Sequence, residues 1–314
     1  LSSAASDVYK RQTLNSSTNN RKAILLTLVS MAAFSIEDAF IKHLSSTHSI
    51  AQILIIIGLA SAIFFAILAL KNGRSIWASG LWTPLTFTRM LAEAFAGVAF
   101  VTSLSLVPLS TVAAVFQILP LTVTMGAALC LGERVGWRRW VAIFIGFVGV
   151  LLIIKPGFEG FNPSVLLVLV AVLGIAVRDL VTRVIPVSVG SSIISFQAFS
   201  SVVVAGLVLL LVSPQVMTPI ALEQWVYFGF TIVFSVSGYY AIVLAMRLGT
   251  ASIVAPFRYS RLLFSLVIGV FIFKEHPDVL TLIGCGIIIT TGFYTYLREQ
   301  RALTKLGKNA AVAL

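Results

Sequence analysis

The stretch 104–157 constrains the fold of this chain more than any other. Its apolar run over 109–131 ends at Gly132 and Glu133, and a second apolar run then continues to Ile154. A hydrocarbon core about 30 Å thick requires about 20 apolar residues in a helix. Each run is therefore long enough to cross a bilayer, and the charged turn between them lies at a membrane surface.

The same order of features recurs over 248–298. A second apolar run contains Pro256, as the first contains Pro120, and it ends at Lys274 and Glu275 before a glycine-containing run begins. The order of span, proline, acidic turn and glycine-containing span thus occurs twice. Long internal similarity of this kind indicates a duplicated membrane domain.

The composition indicates a membrane protein with several spans. Hydrophobic residues make up 59% of the 314 residues and charged residues 11%, and the mean hydropathy is +1.03. A soluble protein of this size contains far more charge, so we predict an all-α polytopic membrane protein whose partner is the lipid bilayer. The net charge of +11 would fit nucleic acid if basic residues clustered on one face. They lie in short turns instead, so no nucleic-acid partner is expected.

We predict ten transmembrane helices, five in each half of the chain. The first repeat covers 21–157 and the second 158–300. Residues 1–20 are expected to be a leader or tail, partly non-native and disordered, and 301–314 a cytoplasmic polar tail. The ten spans cover 23–44, 50–70, 86–107, 109–131, the run that ends at 154, 163–184, 191–212, 224–246, 250–273 and 279–297.

The distribution of basic residues predicts the orientation. Most lysines and arginines lie in turns on the side of the termini, whereas the opposite turns contain Lys42, Lys155 and Lys274. The positive-inside rule then places both termini in the cytoplasm, in a multi-pass protein of the cell (inner) membrane. Because five is an odd number, the second half must enter the membrane upside down. We therefore predict two inverted five-helix repeats, an architecture of alternating-access transporters.

Apart from the charges assigned to turns and span ends, six charged residues fall inside predicted spans, where hydrocarbon does not tolerate them. A charge at the centre of a span costs about 2.5–3.5 kcal/mol, so six would cost on the order of 15–20 kcal/mol if they faced lipid. They are therefore expected to face one another or a water-filled cavity. These residues are Glu37, Asp38, Arg89, Glu93, Arg258 and Arg261.

Arg258 and Arg261 form the sharpest case. They lie three residues apart on one helix face, where like charges repel each other, so an acid in a neighbouring helix or an anionic group on a substrate should offset them. Pro256 loosens the helix just before them, and Tyr259 adds a hydroxyl. A substrate site is the favoured interpretation, and a structural ion-pair network is the alternative.

Other polar residues are weaker candidates for the same site. Gln117, Tyr239 and Tyr240 lie inside predicted spans, where such side chains contact a polar ligand or join neighbouring helices. The candidate substrate-binding residues are therefore Arg258, Arg261, Tyr259, Glu37, Asp38, Glu93, Gln117, Tyr239 and Tyr240.

Local spacing suggests further roles for charged residues. Asp38 and Lys42 are four residues apart, which predicts an ion pair along one helix face. Arg89 lies near the cytoplasmic end of its span and is expected at the membrane interface. Arg178 and Asp179, near the inner end of a span, are interpreted mainly as a gate or topology marker.

Paired glycines recur in the fifth and tenth predicted spans. They are Gly146 and Gly149 in the first and Gly284 and Gly286 in the second. Small residues at this spacing let helix backbones approach closely in a membrane, so we predict a structural packing role.

Three stretches of the chain resemble a known family, the EamA-type ten-helix transporters of the drug/metabolite transporter superfamily. They are SIEDAFIKHL, PLSTVAAVFQILPLTVTMGAALCLGERVGWRRW with its GFVGVLLIIKPG, and the second-half APFRYSRLLFSLVIGVFIFKEHPD. The resemblance implies two inverted repeats, a central cavity and transport of small metabolites such as amino acids, vitamins, nucleosides or drugs. The chain also resembles the group that imports riboflavin. At the second acidic turn it has Lys274-Glu275 where the family has Gly-Glu.

Rival classes lack their sequence signatures. The chain contains no H-E-x-x-H motif and no P-loop, its three histidines fall at or beyond span ends, and Cys130 and Cys285 form no metal or redox spacing. An intramembrane enzyme and a channel stay open as alternatives. We predict a secondary transporter that is not an enzyme, with no cofactor or metal and with a small-molecule substrate. A coupling proton is expected on Glu37, Asp38 or Glu93, and homodimerisation is left open.

Overall fold

The computed structural model describes residues 2–132, 136–156, 161–186, 189–213, 216–248 and 255–312. Glu133, in the first acidic turn, lies outside the described residues, as do 250–254 at the start of the predicted ninth span. Within the described ranges the regular structure is entirely helical, with no β-strand. The predicted all-α class is therefore confirmed.

Eleven α-helices and three short 3-10 segments make up the described chain. The 3-10 segments are Ser79–Leu81, Pro163–Val165 and Ala255–Tyr259. The helices are α1 (Ser2–Leu44), α2 (Ile50–Lys71), α3 (Pro84–Leu106), α4 (Leu109–Phe116), α5 (Leu119–Cys130), α6 (Trp137–Ile154), α7 (Leu166–Val184), α8 (Ser191–Val212), α9 (Leu222–Leu248), α10 (Ser260–Phe271) and α11 (Val279–Val312).

Seven helical segments in the described ranges are long and apolar enough to cross a membrane. Two further apolar helices, Trp140–Ile154 and Val279–Tyr294, are shorter. The ninth predicted span is described only from residue 255 onward. The chain is thus a multi-pass helical membrane protein. The seven segments are Arg21–Leu44, Ile50–Lys71, Pro84–Leu106, Leu109–Cys130, Pro163–Thr182, Ser191–Val212 and Leu222–Ala245.

Prolines interrupt two of the predicted spans. α4 ends at Phe116, and Pro120 lies in the first turn of α5. A proline has no N–H to donate and clashes with the preceding turn, but it is tolerated in the first turn of a helix, where the N–H would be unpaired anyway. Pro256 likewise lies in a 3-10 segment directly before α10.

Helices from the two halves pack against each other throughout. The most extensive contacts join α1 to α9, α2 to α8, α3 to α7 and α6 to α11. Smaller contacts join α1 to α10, α5 to α7 and α4 to α10. Because every one of these contacts crosses between the halves, the halves share one buried core, which includes Leu104, Leu109, Ile118, Leu121, Val168, Phe228 and Ile288.

The contact between α6 and α11 depends on glycine. A Cβ added to Gly284 would lie 2.6 Å from the Gly149 carbonyl oxygen and 2.6 Å from Ile153 Cγ1, whereas a Cβ added to Gly286 would meet nothing within 4 Å. The predicted packing role is confirmed for Gly149 and Gly284 and is wrong for Gly286, which lies on the open side of α11.

Replacing Gly284 with alanine should destabilise the protein by about 1–3 kcal/mol, because the added methyl group overpacks a backbone contact. Gly286→Ala is the matched control, two residues away on the same helix. It should raise stability by up to about 1 kcal/mol, since alanine is the better helix former. Thermal melting in detergent measures both changes. Equal melting temperatures for the two variants would contradict the assigned contact.

The two acidic turns share an unusual backbone conformation. Gly132, before Glu133, has φ +67°, and Lys274, before Glu275, has φ +55°. This left-handed region suits glycine and costs other L-residues roughly 1–2 kcal/mol. Lys274 therefore takes the conformation of the glycine that it replaces.

Candidate functional site

A cavity of roughly 250 Å³ lies between the two halves of the chain. Its wall is formed by α1, α2, α3, α7, α8 and α9, the α4–α5 junction and the segment that leads into α10. Most of the lining is apolar, but three acids and three arginines reach it. These are Glu37, Asp38, Glu93, Arg178, Arg258 and Arg261.

Arg261 and Asp38 form an ion pair across this cavity wall. Arg261 Nη2 donates to both Asp38 carboxylate oxygens at 2.9 and 2.7 Å, and Arg261 Nε donates to Asp38 Oδ2 at 3.2 Å. The Asp38 side chain is 4% exposed and the Arg261 side chain 15%. This pair links α1 of the first half to α10 of the second.

Three aromatic rings surround the same guanidinium. The Arg261 Cζ lies 5.3 Å from the centroid of Phe34, 5.5 Å from that of Phe100 and 5.1 Å from that of Phe116. Ring faces attract a cation at such distances. Arg261 is therefore held by a carboxylate and three rings at once.

Arg178 organises a second charged network on α3 and α7. Its Nη1 donates to Glu93 Oε1 at 3.0 Å, and its Nη2 donates to Asp179 Oδ1 at 2.8 Å. Arg89 Nη2 approaches Glu93 Oε2 at 3.7 Å, and Arg89 Nε donates to Thr182 Oγ1 at 2.9 Å. Two arginines and two acids thus balance each other.

The structure changes the interpretation of two arginines. Arg89, expected at the membrane interface, is 3% exposed and packed within the protein. Its neighbours on α7 and α8 accept its hydrogen bonds, which removes the need to reach water. Arg178, interpreted from sequence as a gate or topology marker, contributes to the cavity wall.

The ion pair predicted between Asp38 and Lys42 is not formed. Lys42 Nζ instead donates to the carbonyl oxygens of Leu104 at 3.1 Å and Val107 at 2.6 Å, at the end of α3. The last carbonyl groups of a helix lack partners in the helix and attract a cation. Asp38 meanwhile is bound by Arg261.

Glu37 and Arg258 differ from the other charged groups of the cavity. Among the described residues neither has an ion-pair partner within 4 Å. Ser235 lines the cavity together with Glu37. Asp179, the acid beside Arg178 on α7, is held by that arginine. One acidic and one basic group are thus left without an ion pair in the described chain.

Aromatic side chains form another part of the cavity wall. Tyr239 and Phe199 line the cavity, and their rings meet edge to face with centroids 5.7 Å apart. Phe65 stacks on Phe199 from behind at 5.6 Å. Phenylalanine carries no special signal in an apolar helix, so the sequence alone did not identify these rings.

Three predicted candidates lie away from the cavity lining. Tyr259 occupies the space where a side chain on Gly292 of α11 would stand. Gln117 is 6% exposed beside the α4–α5 junction, and Tyr240 is 48% exposed. The remaining candidates Glu37, Asp38, Glu93, Tyr239, Arg258 and Arg261 all line the cavity, and their function stays a prediction.

Another polar contact joins the halves near the end of α10. Glu275 accepts hydrogen bonds from Leu109 N at 2.6 Å, Ser110 N at 2.9 Å and Ser110 Oγ at 2.7 Å, at the start of α4. A carboxylate at a helix N-terminus is stabilised by unpaired N–H groups. Within the described residues no group of three or more His, Cys, Asp or Glu side chains is placed to hold a metal ion.

A solved crystal structure shares the fold. It superposes with a TM-score of 0.60 over 89% of this chain and 97% of that chain, at 16% sequence identity. At this identity the likeness concerns the fold alone.

Relatives with known activities are all transporters of small molecules. An S-adenosylmethionine uptake transporter of Rickettsia conorii is 31% identical over 64% of this chain and 68% of the relative. A riboflavin transporter of Vibrio cholerae is 28% identical over 58% of this chain and 61% of the relative. A pseudopaline exporter of Pseudomonas aeruginosa is 23% identical over 90% of this chain and 98% of the relative.

The family model itself matches twice. The EamA-like transporter family is found over residues 21–155 and again over 162–297. The two matches confirm the duplication and the resemblance inferred from the sequence. The chain therefore belongs to the EamA-like transporter family and is a membrane transporter of small molecules.

Proposed function

We propose that this protein is a secondary transporter that works by alternating access, with two inverted five-helix repeats and its substrate site in the central cavity. In this proposal α4 and α5 form span four, the 3-10 segment Ala255–Tyr259 and α10 belong to span nine, and α6 and α11 are spans five and ten. The observation that carries the proposal is the pattern of helix contacts.

A pseudo-two-fold axis that exchanges the two repeats requires helix contacts to occur in corresponding pairs. If spans one to five correspond to spans six to ten, the α1–α9 contact corresponds to α7–α3, and the α1–α10 contact to α7–α5. The α2–α8, α4–α10 and α6–α11 contacts each join a span to its own counterpart. All of these contacts occur, as expected for repeats related by an axis in the membrane plane.

The two acidic turns support the same correspondence. Gly132 and Lys274 precede the two glutamates with the same left-handed backbone. Because each repeat has five spans in this proposal, the two turns lie on opposite faces of the membrane. The distribution of lysine and arginine supports cytoplasmic termini in the inner membrane.

The placement of these turns can be tested by labelling. In a Cys130→Ser/Cys285→Ser background, a cysteine at Glu133 should react with a membrane-impermeant maleimide only from the cytoplasmic side. A cysteine in place of His276, which is exposed next to Glu275 in the second turn, should react only from the opposite side. Labelling of both from one side would contradict the inverted repeat.

Uptake by reconstituted vesicles tests the transport mechanism. We expect purified protein to take up radiolabelled S-adenosylmethionine or riboflavin with saturation, and unlabelled substrate on the opposite side should accelerate exchange. Chemical conversion of the substrate would indicate an enzyme, and unsaturated ion current a channel. A pH gradient in the same assay tests the coupling proton predicted on Glu37, Asp38 or Glu93, since rates that ignore the gradient would count against it.

A further inference from the structure

We propose that the central cavity selects a ligand that carries both a carboxylate and a cationic group, with Arg258 binding the carboxylate and Glu37 binding the cation. This inference rests on the proposed function, because it assigns the substrate class of the same cavity. It divides the six charged residues of the wall into four that serve the protein and two that serve the ligand.

The first step is the charge balance of the wall. Three acids and three arginines line the cavity. Asp38 is paired with Arg261, and Glu93 is paired with Arg178. Glu37 and Arg258 remain, so the wall offers a ligand one acidic and one basic group.

The second step is that the two paired arginines already hold carboxylate partners. Arg261 makes three hydrogen bonds to Asp38 and lies among three rings. Arg178 is shared between Glu93 and Asp179. A ligand that recruited either arginine would have to break a buried ion pair and leave an acid uncompensated, which is strongly unfavourable. Arg258, and not Arg261, is therefore available to a ligand, although the two residues are only three positions apart.

The third step is that the two remaining groups do not pair with each other. Glu37 lies on α1 and Arg258 on the 3-10 segment before α10. Both line the cavity, but no Arg258 nitrogen lies within 4 Å of a Glu37 carboxyl oxygen in the described structure.

The fourth step concerns the ligand. An unpaired charge in a poorly hydrated cavity is costly until an opposite charge approaches it. A ligand with one charge would satisfy one of the two residues, and a neutral ligand would satisfy neither. A ligand with both charges satisfies both, while its apolar part can lie against Phe199 and Tyr239.

Thermal melting of the ligand-free protein is the first test. Glu37→Gln and Arg258→Gln each remove a charge that has no partner, so both variants should melt at or above the temperature of the parent protein. Asp38→Asn, which leaves Arg261 unpaired, should melt lower. If either glutamine variant melts as low as Asp38→Asn, that residue has a structural partner and the proposal is wrong.

Binding to matched ligands is the second test, on the full chain in detergent. In the first set, L-tryptophan carries both a carboxylate and an ammonium group. Indole-3-propionate keeps only the carboxylate, and tryptamine keeps only the ammonium group. A second set is S-adenosyl-L-homocysteine and 5′-methylthioadenosine, with riboflavin as a neutral ring compound. We expect at least one doubly charged ligand to bind. Its analogues that lack one or both charges should bind at least about tenfold more weakly, as expected for the loss of a hydrogen bond to a charged group.

The variants assign the two ends of the ligand. Arg258→Gln should abolish the preference for the carboxylate and leave that for the ammonium, and Glu37→Gln should do the reverse. The proposal is overturned if neutral compounds bind as tightly as doubly charged ones, if no doubly charged ligand binds, or if both variants keep both preferences. If Glu37→Gln keeps the ammonium preference and only removes a pH dependence of uptake, Glu37 is a proton carrier and its assignment here is wrong. Absence of uptake in vesicles, with these binding preferences intact, would refute the transport mechanism alone.

Discussion

Asp38→Asn should lower the free energy of unfolding by about 3–5 kcal/mol, the usual cost of removing one partner from a buried ion pair. The Asp38 side chain is 4% exposed, and its carboxylate is the acidic partner of Arg261 in the described structure. With asparagine at this position, the Arg261 guanidinium would stay buried without a compensating charge. Thermal or denaturant unfolding in detergent measures the effect.

Asp179→Asn is the matched control for this prediction. Asp179 is 29% exposed, and its partner Arg178 would keep Glu93 at 3.0 Å, so the loss should be clearly smaller. The double variant Asp38→Asn/Arg261→Gln carries no uncompensated charge and should be more stable than the additive sum of its single changes, by on the order of 1–3 kcal/mol. Additive effects would show that the two side chains do not depend on each other.

Glu275→Gln should open the face of the protein at which α10 ends. The Glu275 carboxylate accepts from two N–H groups and one hydroxyl at the start of α4, and the amide nitrogen of glutamine cannot accept. Loss of a hydrogen bond to a charged group costs about 1.5–3 kcal/mol, which corresponds to a roughly 10- to 150-fold shift in population. A cysteine at Leu54, which is 3% exposed and lines the cavity, reports the opening through faster labelling by an impermeant maleimide.

Asp278→Asn provides the comparison in the same loop. The Asp278 side chain is 52% exposed and pairs with Lys155, and exposed pairs contribute about 1 kcal/mol or less. Asparagine also keeps the acceptor for Thr281 N at the start of α11. If Asp278→Asn accelerates labelling as much as Glu275→Gln, or if neither does, the contact at Glu275 does not close this face.

Sequence reasoning found most charged residues of the cavity, because charge in a membrane span is costly wherever it occurs. Glu37, Asp38, Glu93, Arg258 and Arg261 all reach the same cavity. Arg178 shows the limit of this reasoning. Its position near the inner end of the predicted span, where charge is inexpensive, predicts mainly a gate or topology marker, and only the structure shows that its side chain donates to Glu93 and lines the cavity.

The partners of these charges could not be derived from the sequence. Spacing along one helix favoured Lys42 as the partner of Asp38, but the actual partner is Arg261, on another helix and 223 positions away. Local spacing predicts a pair only when no stronger site competes. Here the carbonyl groups at the end of α3 bind Lys42. The pairing of Asp38 with Arg261 follows from how the two halves pack.

The glycine contact between α6 and α11 limits which parts of the molecule can move. Gly149 and Gly284 bring the two backbones so close that a methyl group added to Gly284 would lie 2.6 Å from both the Gly149 carbonyl oxygen and Ile153 Cγ1. Tightly packed surfaces of this kind resist gradual deformation, so we expect this helix pair to move as one rigid unit. The rocking motion of the proposed alternating access would then have to occur elsewhere in the molecule. The helix breaks beside Pro120 and Pro256 are the expected hinges.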